Sequence, residues 1–115
     1  MNVTDSQFDF LSRQLDQGIA RHQVIARNVA NVNTPGYRRL DVSFEQELTK
    51  HGSNESATTA KIVEAPGGTE RADGNNVDIE VELGRLDKNA LLHSVYTQIL
   101  ASKIATLRSA ITGRT

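Results

Sequence analysis

Asp78, Glu80 and Glu82 stand at alternate positions about two thirds of the way along the 115-residue chain. Neighbouring carboxylates of this kind are the raw material of a cation site or of general acid/base chemistry. A helix start is the simpler home for them. Asn75 and Asn76 precede the three acids, and carboxylates in a first turn suit the positive end of the helix dipole. Other chemistries fail on spacing. His22, His51 and His93 are too dispersed for a zinc pattern, and no His-Glu-x-x-His is present. Gly67-Gly68 lacks the Lys and the helix of a phosphate-binding loop, and Asn54-Glu55-Ser56 is a glycosylation sequon of the sort that arises by chance. The chain has no cysteine, which removes disulfides, thiolate ligands and thiol nucleophiles together. No cluster supplies a nucleophile, a base and an orienting group, so the expectation is a non-enzyme with no catalytic, cofactor or metal site.

A second set of polar residues has a different character. Asn28 and Asn31 interrupt a helix that is otherwise apolar on one side. Asn is a poor interior helix former because its amide competes for backbone hydrogen bonds. At an interface, its donors and acceptors can fix register between subunits. Asn31 and Asn33 read equally well as helix-end and turn residues. Thr34-Pro35-Gly36-Tyr37 suits a type II turn, with Pro and Gly as the central pair. Such a turn stops the helix at a fixed place and launches the chain sideways, with Tyr37 part of it or filler against the helix end.

The elements that must position these residues are two long helices. Thr4 and Ser6 can cap a start, and Thr4 with Gln7 has capping-box spacing. Phe8, Leu11, Leu15, Gly18, His22, Ile25, Val29 and Val32 then recur in steps of three and four, which predicts a helix from about Ser6 to Asn31. Near the other end, Ile79, Leu83, Leu86, Ala90, His93, Thr97, Leu100, Ile104, Leu107 and Ile111 repeat the pattern. Leu92, Tyr96 and Ile99 form a second apolar strip beside it, so this helix wants more than one neighbour. Val77 to Leu83 also alternate like a strand; the acids after Asn75 and Asn76 favour a helix start there, and Gly113 closes the helix. Leu40, Val42 and Phe44 alternate briefly. Ser43 and Gln46 then offer a capping box for a short helix, Phe44 to Lys50. Residues 51 to 76 are rich in Gly, Ser, Thr, Asn and Ala, as in a flexible connection with at most a short strand at 61 to 64.

Composition sets the outer limits. With 13 basic and 14 acidic residues the net charge is −1, so the chain as a whole has no bias toward nucleic acid. Hydrophobic residues make up 37% and aromatic ones 4%, a thin supply for a compact core in so short a chain. Helices that complete their burial against copies or partners fit better. Met1 to Phe10 shows no basic region followed by an apolar stretch, and no segment nears the roughly 20 apolar residues of a membrane span. No Sec signal and no direct membrane insertion are expected.

The run Ile25-Ala26-Arg27-Asn28-Val29-Ala30-Asn31-Val32-Asn33-Thr34-Pro35-Gly36-Tyr37 resembles the signature of flagellar rod, hook and hook-associated proteins. That signature is an apolar pair, an Asn, an apolar and a small residue, a second Asn, and a Thr-Pro-Gly-Tyr turn. Gly74 to Glu80 and Leu107 to Gly113 look like a short proximal-rod member rather than its longer relatives. The short chain and a polar centre without an inserted β domain point the same way. The matched blocks cover both terminal helices and little of residues 49 to 73. The resemblance implies export by the flagellar type III apparatus without a cleaved signal peptide, and assembly at the base of the periplasmic rod. It implies as partners copies of the chain itself, other rod proteins such as FlgC, a FliE-like adaptor, and the export gate. Phe44-Glu45-Gln46-Glu47-Leu48 resembles the Phe-x-x-x-hydrophobic element that early flagellar substrates present to that gate. An amphipathic turn docking on the helical pair explains Phe44 and Leu48 at least as well.

The expected fold is therefore mainly α. Two long amphipathic terminal helices form an antiparallel pair around an irregular, partly flexible centre that holds a short helix or short strands. Residues 1–36 and 77–115 are expected to form one discontinuous coiled-coil-like core, with 37–76 as the connection. The expected function is a structural rod subunit that polymerises through its terminal helices and transmits torque. A soluble coiled-coil adaptor or secretion chaperone would need the same seams, but it offers no reason for the Asn28–Tyr37 elbow.

Overall fold

The three-and-four spacing of apolar residues closes into helices at both ends of the computed structural model, which describes residues 3–47 and 57–113. The order is α1 (Val3–Ala30), β1 (Leu40–Glu47), β2 (Ala57–Glu64) and α2 (Ile79–Thr112). Helix α1 begins at Val3, three residues before the expected Ser6, so Thr4 lies inside it; Asp5 occupies the first turn, where the dipole favours an acid. Its end tightens, with the amide of Asn31 reaching both Arg27 O and Asn28 O at 3.2 Å. The Thr34–Tyr37 turn follows as the spacing predicts. Tyr37 N donates to Thr34 O at 3.2 Å, and Gly36 takes a φ of 72° that a residue with a Cβ adopts only at a cost.

The short helix expected from Phe44 to Lys50 does not form. Residues Leu40–Glu47 are strand β1, paired antiparallel with β2 in a register running from Leu40 opposite Glu64 to Glu47 opposite Ala57. The capping-box pair Ser43 and Gln46 is a local signal, and it loses to pairing across the hairpin, where Val42 faces Ile62 and Phe44 faces Ala60. Strand β2 extends the strand expected at 61 to 64 back to Ala57, and the loop after it is tied down rather than loose. Leu48, Lys50, His51 and the sequon at Asn54 lie outside the described residues.

Helix α2 starts two to three residues later than Asn75 and Asn76 suggested. Its N-cap is Asp78, whose carboxylate accepts from Glu80 N at 3.0 Å and Val81 N at 3.4 Å. The asparagines are unavailable as caps because both side chains are committed elsewhere. Gly113, at φ 65°, ends α2 as expected.

The two helices run antiparallel. Asn28 meets Glu82, Gly18 meets Asn89, and Gln7 meets Lys103, so each step along α1 is matched by a step back along α2. The contact line shares Leu11, Gly18, Ile25, Leu86 and Leu100 with the seam read in the sequence and departs from it at the positions between them. On α1 the line runs through Leu11, Gln14, Gly18, Arg21, Ile25 and Asn28; Leu15 and Val29 are half-buried flanks and His22 is exposed. On α2 it runs through Glu82, Leu86, Asn89, Tyr96, Leu100 and Lys103, while Leu83, Ala90, Thr97 and Ile104 face solvent. Each helix thus turns a mixed polar face inward and leaves much of its apolar stripe outside. The buried set reflects this: Leu11, Val24, Ile25 and Val77 are joined by Asn28, Arg39, Asn75, Asn76, Glu82 and Asn89. The molecule measures 65 × 39 × 15 Å, and the last turns of α2 run past the α1 contacts, with Ile111 at 85% exposure.

Candidate functional site

The elbow after α1 is held by side-chain amides standing in for missing backbone partners. Asn28 lies two residues from the end of α1, facing the start of β1, and is fully buried. Its Nδ2 donates to Leu40 O at 2.8 Å and to Glu82 Oε2 at 3.2 Å. Its Oδ1 accepts from Leu40 N and from the Tyr37 hydroxyl, each at 3.0 Å. Asn28 therefore pairs with both backbone groups of Leu40 as a neighbouring strand would, and locks the first residue of β1 to the helix. In the single chain its amide is saturated, so the register that it fixes is internal. Burial pushes the Tyr37 phenol above its ordinary range; the Glu82 carboxylate adds to this and the Arg27 guanidinium works against it.

Glu82 is the second centre. Its carboxylate is fully buried yet accepts from Arg39 Nε at 2.5 Å and from Arg85 Nη1 at 2.8 Å. Arg39 is itself held by Asp41 Oδ2 at 3.3 Å and Pro66 O at 3.4 Å, while its backbone N donates to Asn76 Oδ1 at 2.7 Å. A buried acid without such partners would be costly; here every oxygen is paired. The three carboxylates that first suggested acid/base chemistry thus have separate roles. Asp78 caps α2, Glu82 joins the buried cluster, and Glu80 is exposed in the first turn.

A third asparagine closes the loop. Asn75 is fully buried, and its Nδ2 lies within bonding distance of Asn31 O, Val32 O and Thr34 O at 2.9, 3.1 and 2.9 Å. These carbonyls belong to the turns that follow α1; Asn31 O and Thr34 O each also accept one backbone amide, from Thr34 N and Tyr37 N, and Asn75 ties the three together. Its Oδ1 accepts from Val77 N at 2.9 Å. Around it, Gly36 N donates to Asp73 O at 2.8 Å, Gly68 N to Asn76 O at 3.0 Å, and Arg71 N to Asn75 O at 3.0 Å; the Arg71 guanidinium also reaches Val32 O. Packing here is so close that a Cβ on Gly67 would stand 2.1 Å from Asn76 O. The signature run near residue 30 and the block near residue 75 are therefore two halves of one clamp.

The remaining sequence-derived residues fall into place around it. Asn31 closes the helix end, donating to Arg27 O at 2.8 Å and accepting from Thr34 Oγ1 at 3.1 Å. Val29 is half-buried, whereas Ala30, Asn33, Thr34, Pro35 and Gly36 are exposed. Among the seam residues Leu11 and Ile25 are buried and Phe8, Leu15, Leu86 and Leu100 half-buried, while Ile104, Leu107 and Ile111 are exposed. Phe44 sits in β1 under the Arg21 guanidinium, 4.9 Å from its ring centre, away from any helical turn shared with Leu48. Sequence reading missed Arg39, Asn89 and the burial of Glu82. For Glu82 and Asn89 the only signal was a helical spacing, Glu82-Leu86-Asn89, that places two polar residues on one line with a Leu; Arg39 had none.

Known proteins carry the same blocks. Residues 19–38, which run from the middle of α1 through the elbow, match the family model described as flagella basal body rod protein. The chain is 33% identical to the flagellar basal body rod protein FlgB of Borrelia hermsii, across 88% of its own length and 92% of the relative's. It is 34% identical to FlgB of Aquifex aeolicus, across 82% and 83%. With FlgB of Bacillus subtilis the identity is 24%, across 98% of both chains.

Proposed function

This chain belongs to the FlgB family of flagellar basal body rod proteins, and on that premise we propose that it is a non-enzymatic subunit of the proximal rod, polymerising through its terminal helices and transmitting torque. In this reading residues 1–36 and 77–115 act as one discontinuous rod core, with 37–76 as the segment between them. The chain leaves the cytoplasm through the flagellar type III apparatus without a cleaved signal peptide. Phe44 and Leu48 are available to the export gate while it is unfolded. It takes its place in the periplasmic rod against copies of itself, FlgC and a FliE-like adaptor.

One observation carries the proposal. Leu83, Ile104, Leu107 and Ile111 stand exposed along α2, on the stripe that the helical pair leaves outside. Apolar side chains of this size contribute about 1.5–3 kcal/mol each when fully buried, so neighbours that cover them gain much of their association energy from this stripe. A clamp that fixes the elbow internally holds the two helices in one register, and the stripe is then presented as a rigid line. The test is complementation of a strain lacking this gene with Leu107→Asn and Ile111→Asn, alone and together. The expected result is unchanged helicity of the purified chain, with swimming lost and rods absent in the double variant. Normal swimming and normal rods with the double variant would favour the adaptor or chaperone reading.

A further inference from the structure

Although the chain carries a formal charge of −1, the groove where α1, the start of β1 and α2 meet is lined by Arg21, Arg39, Arg85 and Lys88. Its volume is about 430 Å³, and Leu92 and Tyr96 contribute apolar surface to it. Part of this charge is matched internally, because Glu82 lies on Arg39 and Arg85, and Asp41 lies on Arg39. Arg21, whose guanidinium lies over the Phe44 ring, and Lys88 have no carboxylate partner among the described residues. The groove therefore keeps an unmatched positive rim over an apolar floor.

The complement is on the same chain. Gln14, Arg21 and Ile25 of α1 face the groove. On the opposite side of that helix, Asp5, Asp9, Ser12 and Asp16 follow one another at helical spacing, and all four are exposed. Ile19 continues the line and is also exposed. The three aspartates have no cationic partner among the described residues. From Asp5 to Asp16 the stripe spans about 16 Å along the axis.

We propose that the acidic stripe of one copy, Asp5 to Ile19, docks in the cationic groove of the next, so that copies add head to tail. The proposal rests on the rod reading above and names the charged contact within it. Opposite charges meet along the rim, and Ile19 meets the floor at Leu92 and Tyr96. Groove and stripe lie on opposite sides of α1, so the contact is heterologous and leaves one free groove and one free stripe at the ends of every chain of copies. Such a contact propagates, whereas a self-complementary patch would stop at a two-fold dimer.

Charge reversal of each partner tests this with the full chain. The groove variant is Arg21→Glu with Lys88→Glu, which leaves the Glu82 cluster intact; the stripe variant is Asp9→Lys with Asp16→Lys. Circular dichroism establishes that both retain their helices. In sedimentation velocity at low salt, the unchanged chain is expected to form a concentration-dependent ladder of species that shrinks as salt is added. Each variant alone is expected to associate at least tenfold more weakly. An equimolar mixture of the two is expected to associate again, because the intact stripe of one variant meets the intact groove of the other and the two reversed faces are themselves of opposite charge. Three results would overturn the proposal: an unchanged chain that stays monomeric at millimolar concentration, variants that form the same ladder, or a mixture that does not associate. A photo-crosslinker at Leu92 in swimming cells should capture a second copy; capture of a different rod protein instead also overturns it. In every one of these cases the rod reading stands or falls separately, on whether deletion of the gene abolishes rods.

Discussion

Replacing Asn28 by Ala removes one side chain and leaves a set of named groups without partners. Leu40 N, Leu40 O and the Tyr37 hydroxyl lose their bonds, and Glu82 Oε2 loses one acceptor contact. Four hydrogen bonds at about 1 kcal/mol each give about 4 kcal/mol. Ala is the better helix former by about 0.6 kcal/mol, which offsets a little of that loss. The expected destabilisation is therefore about 3–4 kcal/mol, a large share of the stability of a domain this small. Asn28→Asp sharpens the test, because it is nearly isosteric. The carboxylate can still accept from Leu40 N and Tyr37, but it would face Leu40 O at 2.8 Å and Glu82 Oε2 at 3.2 Å with no proton to donate. Asp should therefore be at least as damaging as Ala. Urea unfolding followed by circular dichroism gives the magnitudes, and amide exchange at Leu40 reports the site directly. A loss under about 1 kcal/mol for Asn28→Ala, or an Asp variant more stable than the Ala variant, would refute the clamp argument.

Gly67→Ala should destabilise by more than about 2 kcal/mol, since its Cβ would be driven into Asn76 O and the crowded backbone must shift; thermal melts of the two chains decide this. Glu82→Gln should cost about 3–5 kcal/mol because it strips the buried Arg39 of its one buried counter-charge and leaves only the exposed Asp41 carboxylate at 3.3 Å, whereas Arg85→Gln, at a side chain 41% exposed, should cost less than about 1 kcal/mol; similar losses in denaturant melts would contradict the assignment. Tyr37, held above its ordinary range by burial, stays protonated in the fold at a pH where the unfolded chain already ionises. Its contribution is complete below the ordinary phenol range and is lost as pH rises through and above it, so stability should fall there and Tyr37→Phe should flatten that fall. Equal slopes for the two chains in melts across alkaline pH would count against it.

The two helices, the stop at Pro35 and Gly36, the type II turn and the cap at Gly113 were all legible in the residues. Each depends on interactions between positions a few residues apart, and those are present in the sequence whatever the rest of the chain does. The same reasoning failed where a local signal had a distant competitor. Ser43 and Gln46 carry helix-start spacing, but β2 offers Leu40–Glu47 a full antiparallel register, and the strand wins. Asn75 and Asn76 look like caps, but the carbonyls of the elbow after α1 and the amide of Arg39 bind them first, leaving Asp78 to start α2. The phase of the helical seam is the clearest case. Periodicity identifies an apolar stripe on each helix, but a stripe does not state whether its burial lies within the chain or beyond it. Only the packed structure showed that Asn28, Glu82 and Asn89 face inward, while Leu83, Ile104 and Ile111 face out. The reason is physical: the closed hydrogen-bond network at the elbow sets the rotation of both helices, and that network joins residues more than 40 positions apart.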